Sequence, residues 1–124
     1  MGRGVLIAGY GLALAVMLVG CNRDFNRVQK EVPGGDAVAG RAAIIANGCA
    51  ACHVIPGVAE SAYVGPPLNK YAFRHYIAGN MPNTAESLVA WIVAPQRFEP
   101  GTAMPDLGIN ETDARNIAAY LYKN

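Results

Sequence analysis

Two cysteines stand three positions apart and a histidine follows the second: Cys49-Ala50-Ala51-Cys52-His53. On a helical turn the two thiols can each bond one vinyl group along one edge of a single porphyrin. The adjacent imidazole then falls under the iron as an axial ligand. C-x-x-C-H is the attachment pattern of c-type haem. Two other readings use the same residues. A thioredoxin-like dithiol would need a βαβ setting, and the flanks here read as helix and then loop. A zinc site would need further ligands at suitable spacing; beyond the motif the chain has one other histidine, His75, and one other cysteine, Cys21. The motif occurs once, so one haem is expected.

The rest of the chain calls for a large apolar guest on physical grounds. Of 124 residues, 14 are Gly and 8 are Pro, so much of the chain is turn and loop. A domain spanning 37–124 has only 88 residues, a size at which a loop-rich chain struggles to bury a sufficient core unaided. Disorder is excluded by 52% hydrophobic against 15% charged residues. The net charge of +1 argues against a nucleic-acid binder. Three helices are expected. The first covers about 36–47, with Asp36 as cap and Gly48 at its end. The second covers about 84–94, with Thr84 as cap, a Leu88/Trp91/Ile92 stripe and Pro95 as its stop. The third covers about 110–123, capped by Asn110, with Ala114, Ile117, Ala118 and Leu121 at helical spacing. A shorter helix is expected over Lys70 to Ala78. No strand with clear alternation and no internal repeat is apparent.

The N-terminal region reads as an address. Arg3 is the only charge before Arg23, and an apolar run from Val5 to Val19 lies between them, the form of a secretory signal. It ends Leu18-Val19-Gly20-Cys21, which resembles the bacterial lipobox, with cleavage before Cys21 and acylation of its sulfur. An uncleaved anchor and a soluble secreted protein are the alternatives; residues 4–22 are uncharged over nineteen positions, close to a bilayer span. The expected organisation is a lipoprotein signal at 1–20, a flexible tether at 21–36 beginning at the lipidated Cys21, and the compact domain at 37–124. The exported face of a bacterial membrane, the periplasmic side, is the expected location.

Several separate stretches of 40–123 resemble the small class I c-type cytochromes. Cys49 to His53 matches the family's attachment site. Gly65-Pro66-Pro67-Leu68 matches the loop in which a proline carbonyl, here that of Pro66, accepts the proximal histidine's N–H. Leu88 to Met104, ending Pro100-Gly101-Thr102-Ala103-Met104-Pro105, matches the helix and the sixth-ligand loop, and Asp113 to Tyr122 the last helix. The resemblance implies an all-α cytochrome c fold, three main helices plus loops wrapped around one covalent haem, with His53 and Met104 as iron ligands. Met81 also precedes a proline, but it lacks the P-G-T-x-M-P setting and is read as core filler. Arg74 matches a family arginine near the haem propionates. Thr102 and Trp91 are expected to reach a propionate or the ligand sulfur. Gly40, Ile44, Ile117 and Tyr120 match the crossing of first and last helices, and His75 reads as an ordinary surface or loop residue.

The function implied is one-electron transfer, not catalysis. A His/Met haem has both axial positions closed, which leaves no site for a small-molecule substrate. Redox partner proteins are implied: a quinol-oxidising complex as donor and a haem–copper terminal oxidase as acceptor, with the membrane reached through the lipid anchor. A peroxidase-like haem enzyme or dehydrogenase subunit and a haem-based gas or redox sensor are the alternatives. Either would need a labile sixth position.

Overall fold

The structure is a computed structural model and describes residues 30–124. The expected signal, Cys21 and the first part of the expected tether lie outside the described residues. Three helices form the frame: α1 (Ala37–Ala46), α2 (Ala85–Val93) and α3 (Glu111–Lys123). Each begins where a side chain replaces a missing helical acceptor. Asp36 Oδ1 accepts from the Val38 and Ala39 N–H groups at 2.7 and 3.3 Å. Thr84 Oγ1 accepts from Ser87 N–H at 3.1 Å. Asn110 Oδ1 accepts from Asp113 N–H at 2.9 Å, and the Asn110 amide donates back to Asp113 Oδ2 at 2.8 Å.

The α1–α3 crossing organises the core. A β-carbon built at Gly40 would lie 1.9 Å from Asn116 O and 2.5 Å from its carbonyl carbon. No residue larger than glycine lets these two backbones approach so closely. Ile44, Ile117 and Tyr120 are buried at the same crossing, and α2 adds Leu88, Val89, Trp91 and Ile92 to the core. Two side chains on the crossing helices also hold the turn that follows His53. Arg41 donates to Gly57 O at 2.9 Å from α1, and Tyr120 Oη donates to Pro56 O at 2.6 Å from α3.

The helix expected over Lys70 to Ala78 does not form. The segment is a 3-10 turn, Tyr71–Phe73, followed by a short antiparallel pair, β1 (Tyr76–Ile77) and β2 (Met81–Pro82). Lys70 sits at φ 50°, Ala78 at 50° and Gly79 at 82°, so left-handed residues close both ends of the stretch. Asn80 N–H donates to Ile77 O at 3.2 Å across Ala78-Gly79, which makes a tight hairpin turn with two positive-φ central residues. The buried amide of Asn83 takes the carbonyls that a helix would have used: Nδ2 donates to Tyr71 O at 2.9 Å and to Arg74 O at 3.0 Å.

The described end of the expected tether is also packed. Lys30 Nζ donates to Asn83 O at 2.6 Å and to Arg74 O at 3.2 Å. Val32 is buried in the core cluster, and Asp36 N–H donates to Asn116 Oδ1 at 2.9 Å. The folded unit therefore starts by Lys30, several residues before Ala37. Among the described residues no helix is long and apolar enough to cross a membrane.

Candidate functional site

Gly48, at φ 69°, turns the chain out of α1 directly into a 3-10 turn, Cys49–Ala51. Cys52 and His53 follow, with their N–H groups donating to Cys49 O at 3.2 and 3.0 Å. Both cysteines on this turn are free thiols and half-buried. Burial pushes the Cys49 thiol above its ordinary range. It packs against the core cluster at its margin, as do Leu68, Met81 and Met104.

His53 Nδ1 lies 2.7 Å from Pro66 O. A carbonyl only accepts, so this pairing puts the ring proton on Nδ1 and leaves the Nε2 lone pair free to ligate a metal. The loop carrying Pro66 is held at three points: Gly65 N–H donates to Cys52 O at 2.7 Å, Leu68 N–H to Val54 O at 2.8 Å, and the Arg74 guanidinium donates to Pro67 O. Gly65 lies against the imidazole. A β-carbon there would sit 2.3 Å from His53 Cε1 and 2.6 Å from Nδ1. Gly65→Ala is therefore expected to push the imidazole out of line, since both backbones are pinned. The overpacking is expected to cost about 1–3 kcal/mol and to shift the reduction potential. Redox titration and thermal melting check this; a Gly65→Ala protein with unchanged potential and melting point would refute the close-approach argument.

Met104 is presented by a loop built from short-range bonds. Pro95–Arg97 forms a 3-10 turn behind α2. Thr102 N–H donates to Glu99 O at 3.0 Å, Met104 N–H donates to Thr102 Oγ1 at 3.2 Å, and Gln96 Nε2 donates to Met104 O at 2.8 Å. The Thr102 hydroxyl thus holds the backbone of Met104. Trp91 is buried on α2. Arg74, half-buried, stacks its guanidinium 4.9 Å from the Tyr71 ring centre while it holds Pro67, so it stands on the His53 side of the fold. Met81 lies in β2, half-buried against the core, and His75 is exposed.

Asn83, Gln96 and Lys30 carry site-supporting bonds that the sequence reading did not single out. Asn83 is 5% exposed, and its Oδ1 accepts from Tyr122 Oη at 2.7 Å. Burial pushes the Tyr122 phenol well above its ordinary range, which keeps it a neutral donor. A cue existed for Asn83, a polar residue between Pro82 and the Thr84 cap, but it marks a turn and does not reveal the partners.

The donor set fits a covalently held c-type haem: two unpaired thiols on one turn, an imidazole with Nε2 free, and a glycine where a side chain would displace the ring. A dithiol of thioredoxin type finds no βαβ unit among the described residues, whose only named strands are β1 and β2.

A family model described as Cytochrome c matches residues 37–124. A curated relative, cytochrome c oxidase subunit 2 of Alkalihalophilus pseudofirmus, is 36% identical over 83 residues, which is 66% of this chain and 24% of that protein. The chain thus spans about a quarter of the length of the curated relative it matches. No solved structure matches the chain.

Proposed function

The chain belongs to the cytochrome c family, whose members carry covalent haem and transfer electrons, and from that premise we propose that it is a His/Met-ligated one-electron carrier of a respiratory chain. Cys49 and Cys52 would hold the haem through thioethers, and His53 and Met104 would ligate its iron. The haem iron supplies the one-electron couple. The protein's own residues do the rest. Pro66 O fixes the His53 tautomer and makes Nε2 the better donor. The Thr102 and Gln96 bonds hold the Met104 backbone. An imidazole and a thioether together would raise the potential and leave the iron no open position for substrate, which suits electron transfer and not catalysis.

The observation that carries this reading is the His53 ring: Nδ1 engaged at 2.7 Å by Pro66 O, Nε2 free, one residue beyond a pair of unpaired thiols. The wider reading places the carrier on the periplasmic side of a bacterial membrane, held by acylation at Cys21. A quinol-oxidising complex would be its donor and a haem–copper terminal oxidase its acceptor. The likeness to an oxidase subunit supports that acceptor class.

The test is ligand replacement. Met104→Ala should open the sixth position, lower the reduction potential and let the reduced protein bind CO, whereas Met81→Ala should leave all three as in the parent. Loss of the thioether spectrum in the Met81 variant alone would show that the ligand is misassigned. No change in either variant would remove the closed-carrier argument.

A further inference from the structure

We infer that the pole of the domain formed by the Lys30–Asp36 strap and the C-terminal end of α3 rests on the bilayer, so that the carrier is an oriented module and not a freely swinging one. The inference rests on the anchoring at Cys21 proposed above and goes beyond it by naming the surface that meets the membrane.

The first observation is how firmly the strap is seated. Lys30 Nζ makes two bonds to main-chain carbonyls and lies 5.4 Å from the centre of the Tyr122 ring. Gly35 N–H closes a turn onto Val32 O at 3.0 Å. A β-carbon at Gly35 would lie 2.7 Å from Arg115 O and 2.9 Å from Ala119 Cβ, so this stretch is pressed onto α3. The second observation is the length of chain before it. Only nine residue steps separate Cys21 from Lys30. Even fully extended they span at most about 32 Å, comparable to the diameter of the domain itself, with a radius of gyration near 13 Å for this size. An attachment this short, entering at one pinned pole, keeps that pole nearest the bilayer.

The third observation is charge. Lys123 lines the same surface groove as Lys30. Lys70 N–H donates to Asn124 O at 3.3 Å, which sets Lys70 beside the end of α3. Lys70 and Lys123 are exposed, and neither is in an ion pair among the described residues. Glu31, also exposed, lines the groove and offsets part of this charge. Exposed lysines are attracted to an anionic headgroup layer and so bias orientation; the anchor supplies the affinity. The Cys49 turn follows the C-terminal end of α1, about 14 Å along that helix from Ala37. An acceptor embedded in the same membrane would then meet the carrier in one orientation.

The test uses the full, acylated cytochrome reconstituted in vesicles of phosphatidylglycerol and phosphatidylcholine that contain a nickel-chelating headgroup lipid. A nitroxide is attached at Asn124→Cys, at the strap pole, or at Ala46→Cys, at the far end of α1. The label at 124 should be relaxed by the surface nickel several-fold more than the label at 46. Lys30→Met should shrink that ratio, because it releases the clamp while keeping an unbranched apolar stem. Equal relaxation at the two sites in vesicle-bound protein overturns the orientation and leaves the anchoring standing. An unchanged ratio in Lys30→Met overturns the role of the clamp. A full chain that remains unacylated at Cys21 and does not associate with vesicles overturns the anchoring and this inference together.

Discussion

Replacing Cys49 and Cys52 together with alanine is expected to leave little folded protein. The buried apolar set belongs to the helical frame, whereas Cys49, Leu68, Met81 and Met104 are only half-buried at its edge. Large apolar side chains are left in water in the segments that bracket the site: Tyr63 and Val64 just before Gly65, and Leu107 just after the Met104 loop. A chain of this size has little stability to lose. A covalent haem held by Cys49 and Cys52 would cover that edge, and without it those apolar contacts would be missing. Accumulation should fall by about an order of magnitude, since a loss of even ~1–2 kcal/mol changes cellular abundance several-fold. Haem staining, protein yield and far-ultraviolet circular dichroism check this. A well-folded double variant with native helicity would show that the frame is sufficient by itself.

Gly40→Ala is expected to destabilise the domain by about 3 kcal/mol, the upper end of ordinary overpacking. The sign is what makes the experiment decisive. In an open helix the same change would stabilise by roughly 0.5–1 kcal/mol, because alanine loses less backbone entropy. Here the new methyl would meet the Asn116 carbonyl at 1.9 Å, and the obstacle is backbone, which has no rotamer to change. Relief requires α1 and α3 to separate, which loosens Ile44, Ile117 and Tyr120, and with Tyr120 the bond that holds Pro56. The melting temperature should fall by more than about 10 °C for a domain of this size. A melting temperature equal to or above that of the parent would mean that the helices cross at a greater distance.

Much of this molecule is written in short words. Asp36, Thr84 and Asn110 announce helix starts because a capping side chain bonds an N–H two or three residues away. Pro95 ends α2 through its own ring. C-x-x-C-H is a five-residue statement about one porphyrin edge. The all-α fold and the cytochrome c family were legible from such signals. The segment from Lys70 to Ala78 was not: its composition permits a helix, and it is made a turn and hairpin by the left-handed backbone at Lys70 and Ala78 and by the amide of Asn83.

The caps, the helix spans to within a residue and the family could all be read from the order of the residues. Which atoms meet across the chain could not, and emerged with packing. Packing set Gly65 against the His53 ring, Arg74 on Pro67 O, Gln96 on Met104 O and Lys30 on Asn83 O. The physical reason is range. A cap or a C-x-x-C-H motif is satisfied within one turn of backbone, so its partners are neighbours along the chain. Lys30 reaches Asn83 across 53 positions, and Asp36 reaches Asn116 across 80. Such pairs exist only after the α1–α3 crossing has brought the ends together, and nothing local in lysine or asparagine names the carbonyl it will find.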